Sequence, residues 1–379
     1  MRSDDFPVWR GLPPQGASWI VRGRRFVNRK ACAALFAGFV VGVWGGVAAQ
    51  VPARPFPAEV PLEAAARALS WEQGGRLMVA SHALQGISVV HLPEGSSEAP
   101  AVLFDADRPT LDALSLGDGR FLLGRRWGTI ELVEIEVPEN GEDRTPGIRS
   151  LAEWDSEGMP THLMRRGDLL LVAAGPSGLL VYDWPGEDLK LHLRARYPVV
   201  DFTKQVIPGE DDLLMLADNF DYGMQLLRLS DPERPEYVVH RTGDFIDTVD
   251  GHEGIVAAGF RRYGVVFFDV AAPEDPERVH FLPLPSPGAG MVQRVRYNDA
   301  GELLVSEGAS GARLVRLDKS VDEGGEVSWD STVLQSWPGG TEGREVREGI
   351  FLGGDWVALS EGPGNISFHR LERAGQEEE

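Results

Sequence analysis

The chain has 379 residues, 42% of them apolar, which is enough to bury a large core and excludes a disordered chain. Its formal charge is -21 at pH 7, but residues 1–49 hold seven basic and two acidic residues, which leaves 30 basic against 56 acidic beyond Ala49, a net of -26. A body so acidic repels phosphate backbones, so nucleic acid is not an expected partner, and a single cysteine, Cys32, excludes an internal disulfide or a thiolate metal site.

Arg22, Arg24, Arg25, Arg29 and Lys30 precede Ala31–Ala49, an uncharged stretch that ends in Val47-Ala48-Ala49 before Gln50. This order of basic, apolar and small residues predicts a secretory signal over residues 1–49, cleaved after Ala49. An uncleaved anchor is the competing reading, since about nineteen residues at roughly 1.5 Å each nearly span the hydrocarbon core. Gly38, Gly42, Gly45 and Gly46 weaken such a helix and favour cleavage. Membrane contact is expected only through residues 31–49, if they are retained. Arg24-Arg25 fits a twin-arginine signal poorly, because Phe26-Val27-Asn28 follows it.

Residues 50–61 are Pro-rich and extended, and Leu62–Leu69 has local helix propensity through Ala64-Ala65-Ala66. From there a layout repeats: an apolar run, a few turn residues, a glycine and a second apolar run. The glycines are Gly86, Gly128, Gly178, Gly223, Gly264, Gly311 and Gly364, separated by 42, 50, 45, 41, 47 and 53 residues. One unit cannot bury its own apolar faces, and a period near 46 matches the four-stranded blade of a propeller.

Each unit starts with a short strand, visible in Arg67–Ser70, Asp112–Ser115, Thr161–Met164, Phe245–Thr248 and Val292–Arg296. A turn follows, such as Gly117-Asp-Gly-Arg120 or Asp250-Gly-His-Glu-Gly254. The second strand is the most apolar (Leu77–Ala80, Leu169–Ala174, Leu213–Ala217), as suits a strand covered on both faces. The third lies just past the glycine (Ile87–Leu92, Val265–Val270, Ile366–Leu371), and a looser fourth closes most units, as in Tyr237–His240. The fold class is therefore all-β, a propeller of seven four-stranded blades over residues 62–373. The last unit leaves no room for a fourth strand before the acidic tail 374–379. Val51–Glu63 is expected to supply it and close the ring, its prolines being tolerated on an edge strand.

Two units carry a further signature after the third strand, Leu229-Ser-Asp-Pro-Glu-Arg-Pro-Glu-Tyr-Val238 and Val270-Ala-Ala-Pro-Glu-Asp-Pro-Glu-Arg-Val279. With the preceding Gly223-Met-Gln-Leu-Leu-Arg-Leu and Gly264-Val-Val-Phe-Phe-Asp-Val, these resemble the LVIVD repeat. The resemblance implies a β-propeller secreted to, or held at, a prokaryotic cell surface, and it implies no shared catalytic residues.

Catalytic patterns are not found: Gly308-Ala-Ser-Gly-Ala312 has the wrong spacing for a nucleophile elbow, and the eight histidines show no zinc-ligand spacing. No cofactor or metal is expected. Asp218-Asn-Phe-Asp-Tyr-Gly223 lacks the alternating oxygens of a calcium loop and reads as a capped turn. Arg166-Gly167-Asp168 is explained by its hairpin.

Arg125-Arg126-Trp127 and Arg261-Arg262-Tyr263 stand out in the turns between second and third strands, across the ring from each other. Such clusters can hold a carboxylate or anionic sugar by forked hydrogen bonds and stacking, or merely pair with surplus carboxylates. His82, Asp218, Asp221 and Tyr222 belong to the same class of turn and complete the candidate face. The expected function is an exported, non-catalytic scaffold binding a protein or glycan partner at the cell envelope. The alternative is an exported hydrolase or lyase using carboxylates at the channel mouth, with or without a divalent cation. A surface protein held by an uncleaved anchor is a third reading.

Overall fold

A computed structural model describes residues 56–372, apart from residues 73, 75, 94–98, 139–144, 187–188, 199–201, 219–222, 241–244, 286–289 and 340–344. The expected signal 1–49, the tail 374–379, and Asp221 and Tyr222 lie outside the described residues. Seven four-stranded antiparallel sheets form the blades of a propeller.

Blade one contains β2 (Ala68–Glu72), β3 (Leu77–Ser81), β4 (Ile87–His91) and β5 (Ala101–Asp105). Blade two has β6 (Thr110–Gly117), β7 (Arg120–Arg125), β8 (Thr129–Glu136) and β9 (Gly147–Asp155), and blade three β10 (His162–Arg166), β11 (Leu169–Ala173), β12 (Leu179–Asp183) and β13 (Leu193–Tyr197). Blade four runs through β14 (Thr203–Pro208), β15 (Leu213–Asp218), β16 (Met224–Arg228) and β17 (Glu236–His240). Blade five follows with β18 (Thr248–His252), β19 (Ile255–Phe260), β20 (Gly264–Asp269) and β21 (Glu277–Pro283). Blade six has β22 (Arg294–Tyr297), β23 (Glu302–Ser306), β24 (Gly311–Val321) and β25 (Val327–Pro338). Blade seven takes β26 (Val346–Gly353), β27 (Trp356–Glu361) and β28 (Asn365–Arg370), and its outer strand is β1 (Glu59–Pro61). The first strand of each unit is innermost and lines the central channel.

The closing strand is where the sequence places it. Val60 is buried opposite Ile366, and Pro61 sits at the edge, where its missing N–H costs no ladder bond. Phe56 packs just outside this pair, stacked on Phe368 with centroids 5.6 Å apart and edge-on to Trp356 (5.3 Å) and Trp71 (6.0 Å). This aromatic cluster spans the seam between blades seven and one.

The second strands are buried along both faces because blades stack on either side of them, and β3 is buried at every position. Their third-strand partners begin at the marker glycines. At Gly264 φ is 138°, and an added Cβ would lie 2.1 Å from the Leu282 carbonyl oxygen. At Gly86 it would lie 1.6 Å from the Asp105 carbonyl oxygen. The glycine recurs because the fourth strand's backbone fills the space where a side chain would stand.

Two local expectations differ from the structure. Leu62–Leu69 forms no helix: Ala66 is buried in the link into blade one, its carbonyl accepting a hydrogen bond from Ser360 Oγ at 3.0 Å, and Ala68 already belongs to β2. Tertiary burial overrides alanine's weak propensity. The inner strand of blade five is β18, three residues later than expected, so Asp250 and Gly251 are strand rather than turn residues. A Cβ on Gly251 would lie 2.6 Å from Met215 Cε, so the glycine leaves room for the end of that methionine rather than serving a turn.

Candidate functional site

The turns between second and third strands, together with the links from one blade to the next, form one face of the ring, called here the upper face. Several blades build the base of that turn in the same way, with a polar side chain near the end of the second strand bonded to one six or seven residues on. His82 Nε2 meets Ser88 Oγ at 2.8 Å, Arg125 Nε donates to Glu131 at 2.8 Å, and Gln225 Nε2 donates to Asp218 at 2.8 Å. Arg313 Nε donates to both oxygens of Glu307 at 3.0 Å, and Ser367 Oγ to Glu361 at 2.7 Å. These are buried or half-buried locks across the hairpin.

Three sequence candidates therefore lie beneath the face rather than on it. Arg125 is 3% exposed; besides Glu131 it donates to the Arg108 carbonyl at 3.1 Å and to Thr110 Oγ1 at 2.7 Å. Buried His82 holds the Ala65 carbonyl at 3.2 Å through Nδ1, and desolvation lowers its pKa, so it stays neutral. Buried Asp218 accepts from the Phe202 N–H at 3.3 Å as well as from Gln225.

The other candidates do face out. Trp127 is 77% exposed with the Arg126 guanidinium 5.2 Å from its centroid, and Tyr263 is 60% exposed beside exposed Arg262. Arg261 lies over Phe245 at 5.6 Å, and Phe245 is itself 47% exposed. Leu84, in the corresponding turn of blade one, is 76% exposed. Three of the four most exposed large apolar side chains among the described residues thus lie in upper turns. A groove of about 380 Å³ runs beside Trp127, with Trp154, Glu153 and Asp155 on its other side.

The enzyme alternative drawn from the sequence put carboxylates at the channel mouth but named no channel residue. Arg67, Asp112, His162, Lys204, Asp250, Arg294, Arg296 and Glu348 come from the inner strands or the residue just before one, and together they represent all seven blades. Part of this set holds neighbouring inner strands together, which share no sheet hydrogen bonds. Asp112 Oδ2 accepts from the Leu163 N–H at 2.7 Å, Asp250 Oδ2 from the Tyr297 N–H at 2.7 Å, and Gln205 Oε1 from the Val249 N–H at 3.1 Å. Ser70 Oγ accepts from the Ser115 N–H at 3.0 Å, Thr161 Oγ1 donates to the Thr203 carbonyl at 2.8 Å, and Arg294 and Arg296 both reach Glu348 at 2.9 Å. Trp71 Nε1 crosses the last seam to the Leu352 carbonyl at 3.1 Å. Every seam of the ring carries such a bond. Carboxylates so engaged hold blades together, which suits them less to exchanging protons with a substrate.

The ionisation states follow from burial. Desolvation pushes the Asp112 carboxyl up to about 6, against the pull of Arg294 and the Leu163 N–H. His162 is held well below its usual range, first by burial and then by Arg294, Arg296 and Arg67, and its Nδ1 has no partner among the described residues. Asp250 is raised by burial, and Lys204 is lowered by burial despite its ion pair with Asp247. Asp247 also takes the Arg261 Nε at 2.6 Å. Among the described residues no group of three or more histidine, cysteine or carboxylate side chains is arranged to hold a metal.

The opposite face carries the double-proline turns. In the first, Asp231 Oδ1 accepts from the Glu233 N–H at 2.9 Å, and in the second Asp269 Oδ1 accepts from the Ala271 N–H at 2.9 Å. A cavity of about 430 Å³ opens there between blades four and five, lined by Glu210, Asp212, Arg228, His252 and Glu253 around Met215.

No family model matches the chain, and no curated protein does. Solved structures match its fold at low identity. The structure of Sqt1 from Chaetomium thermophilum is 12% identical with a TM-score of 0.60, covering 84% of this chain and 99% of that one. The same protein bound to the N-terminus of the ribosomal protein L10 matches with a TM-score of 0.58 and 12% identity, over 83% of this chain and 99% of that one. The computationally designed Ika8 protein matches with a TM-score of 0.53 and 12% identity, over 82% of this chain and 98% of that one. These likenesses establish the fold and assign no family.

Proposed function

We propose that the chain is an exported, non-catalytic propeller that binds a protein partner through its upper face. The observation that carries this reading is the set of exposed Leu84, Trp127, Phe245 and Tyr263 in upper turns and links, with Arg126, Arg261 and Arg262 among them. Aromatic residues and arginine are the types enriched at the energetic centres of protein interfaces, and a rigid ring holds them with little ordering cost on binding. That a propeller of the same architecture, Sqt1, was solved with the N-terminus of another protein bound adds a precedent for the scaffold, not for the partner. Export is supported by the order of residues within 1–49, and an envelope location by the LVIVD-like turns at Leu229–Val238 and Val270–Val279.

The test is selection of a displayed random peptide library on the full chain, with affinities of the recovered peptides then measured on the Trp127→Ala/Tyr263→Ala variant. Peptides that bind the parent and lose tenfold or more on the variant support the reading. Peptides that bind both equally, or a library that yields none while a glycan array gives hits, overturn it.

A further inference from the structure

The upper mouth of the channel holds a concentration of positive charge that the rest of the molecule does not explain. Arg67 precedes β2, Arg126 lies in the upper turn of blade two, Lys204 is the second residue of β14, and Arg261 follows β19. They are close enough to act on one another's charge: Arg126 and Arg294 both disfavour the charged form of Arg67, and Arg261 and Arg67 both disfavour that of Lys204. Asp247 neutralises part of this from between Lys204 and Arg261, and Glu348 is taken by Arg294 and Arg296 deeper in.

Arg67 is the unusual member. Its guanidinium makes no hydrogen bond and no ion pair with a described residue, although Asp112 and Glu348 lie near enough to favour its charge. Its backbone is fixed through its N–H to the Ser81 carbonyl at 2.7 Å, so the side chain is presented from a rigid stem. A guanidinium offers five N–H donors, and Arg67, half-buried at the channel mouth, has no nitrogen sealed away from solvent, so those donors can reach a ligand that enters the mouth. Beyond Ala49 the chain has 56 acidic residues against 30 basic ones, so a neutralising carboxylate was abundantly available. Lys204 is compact where the arginines are planar and forked, and this mixture suits an oxyanion approached from several sides.

We infer that the upper mouth of the channel is an oxyanion socket in which Arg67, flanked by Arg126, Lys204 and Arg261, receives a carboxylate presented by the partner, either an acidic side chain or a chain terminus. The inference rests on the reading of the upper face as a partner-binding surface. The aromatic turns contribute apolar contact and the socket fixes register by charge. In an otherwise acidic body, a basic mouth also steers acidic segments toward one point of the surface. Phosphate shares the chemistry, so the experiment separates the two sources.

The full chain is followed by thermal shift and titration calorimetry at low ionic strength with citrate, hexaglutamate and inorganic phosphate, and the same is done for Arg67→Gln. The expected result is a saturable rise in Tm with citrate and hexaglutamate, mutual competition between them, and weaker binding of phosphate. Arg67→Gln is expected to raise Tm in the absence of anion, since it removes a charge facing like charges, and to reduce the affinity for both carboxylate ligands at least tenfold. Lower Tm in Arg67→Gln, an anion response that survives the substitution, or no anion response in the parent would overturn the proposal. Tighter binding of phosphate would reassign the socket to a phosphoryl group. The Trp127→Ala/Tyr263→Ala variant separates this from the parent reading: it should lose selected peptides yet keep the citrate response, whereas failure of the socket alone leaves peptide binding in Arg67→Gln intact.

Discussion

Asp112 and His162 occupy adjacent inner strands and respond to acid in opposite directions. Burial raises the Asp112 carboxyl from 3.8 to about 6. Its contribution to stability is therefore whole below the unfolded value and is lost as pH rises through 6, up to about 3 kcal/mol. His162 has a folded pKa depressed below 6.5, so its contribution is present above that value and is lost as pH falls. Between pH 4 and 6.5 the two slopes oppose each other. Asp112→Asn keeps an oxygen for the Leu163 N–H and removes one of them. It is expected to exceed the parent in stability by about 1–3 kcal/mol above pH 6, with the gap closing toward pH 4. Urea unfolding at pH 4.5 and 7.5 measures this, and a gap that widened on acidification would contradict it. At this scale the sequence was only partly legible. Trp127 and Tyr263 are exposed where a turn glycine follows an aromatic residue, but Arg125, His82 and Asp218 are consumed by buried partners. The spacing from Arg125 to Glu131 and from Glu307 to Arg313 is the available clue, since a second polar residue inside a strand that must be buried asks for a mate. Arg67 and Arg294 carried no comparable sign, because inner strands are short and their charges look like solvent-facing residues until the ring brings them together.

The hairpin between second and third strands is the element that repeats most faithfully. Gly264 joins β19 to β20 at a φ that side chains rarely adopt, against the backbone of β21. Gly264→Ala is expected to cost about 2–3 kcal/mol. Denaturant unfolding should show a lower midpoint with an unchanged slope, and a midpoint within error of the parent would show that the fourth strand can retreat. These hairpins were legible because both strands are apolar without interruption and the glycine marks their junction. Less legible was β18, whose Asp250 and Gly251 have turn-like composition but serve the seam to blade six and the contact with Met215. The register shifts between third and fourth strands, at Leu132/Val133, Val181/Tyr182, Leu226/Leu227, Phe267/Phe268 and Leu314/Val315, were not readable at all. A bulge adds local twist and has no composition of its own.

Seven blades make a ring only if the last sheet borrows its outer strand from the beginning of the chain. That requirement could be inferred from residues, because the seventh repeat stops after Leu371 with three strands written and a Pro-bearing apolar segment stands before the first. The strength of the closure could not, since it resides in Phe56 meeting Trp71, Trp356 and Phe368 from distant parts of the sequence. Phe56→Ala is expected to cost about 3–5 kcal/mol. Intrinsic tryptophan fluorescence should report solvent reaching Trp71 and Trp356 before the remaining blades unfold. Loss of both signals in a single transition with an unchanged midpoint would show the cluster to be dispensable.

The pairing of β1 with β28 also determines how the ring would respond to mechanical load. The strands run antiparallel, with Glu59 opposite Ser367 and Pro61 opposite Asn365, so the chain enters β1 on the side from which it leaves β28. A pull on the two ends is applied at one corner of blade seven and peels the ladder one bond at a time instead of shearing it. The same geometry that seals the circle makes this seam its release point under tension, and tethers at both ends would open the ring at low force while leaving six blades folded.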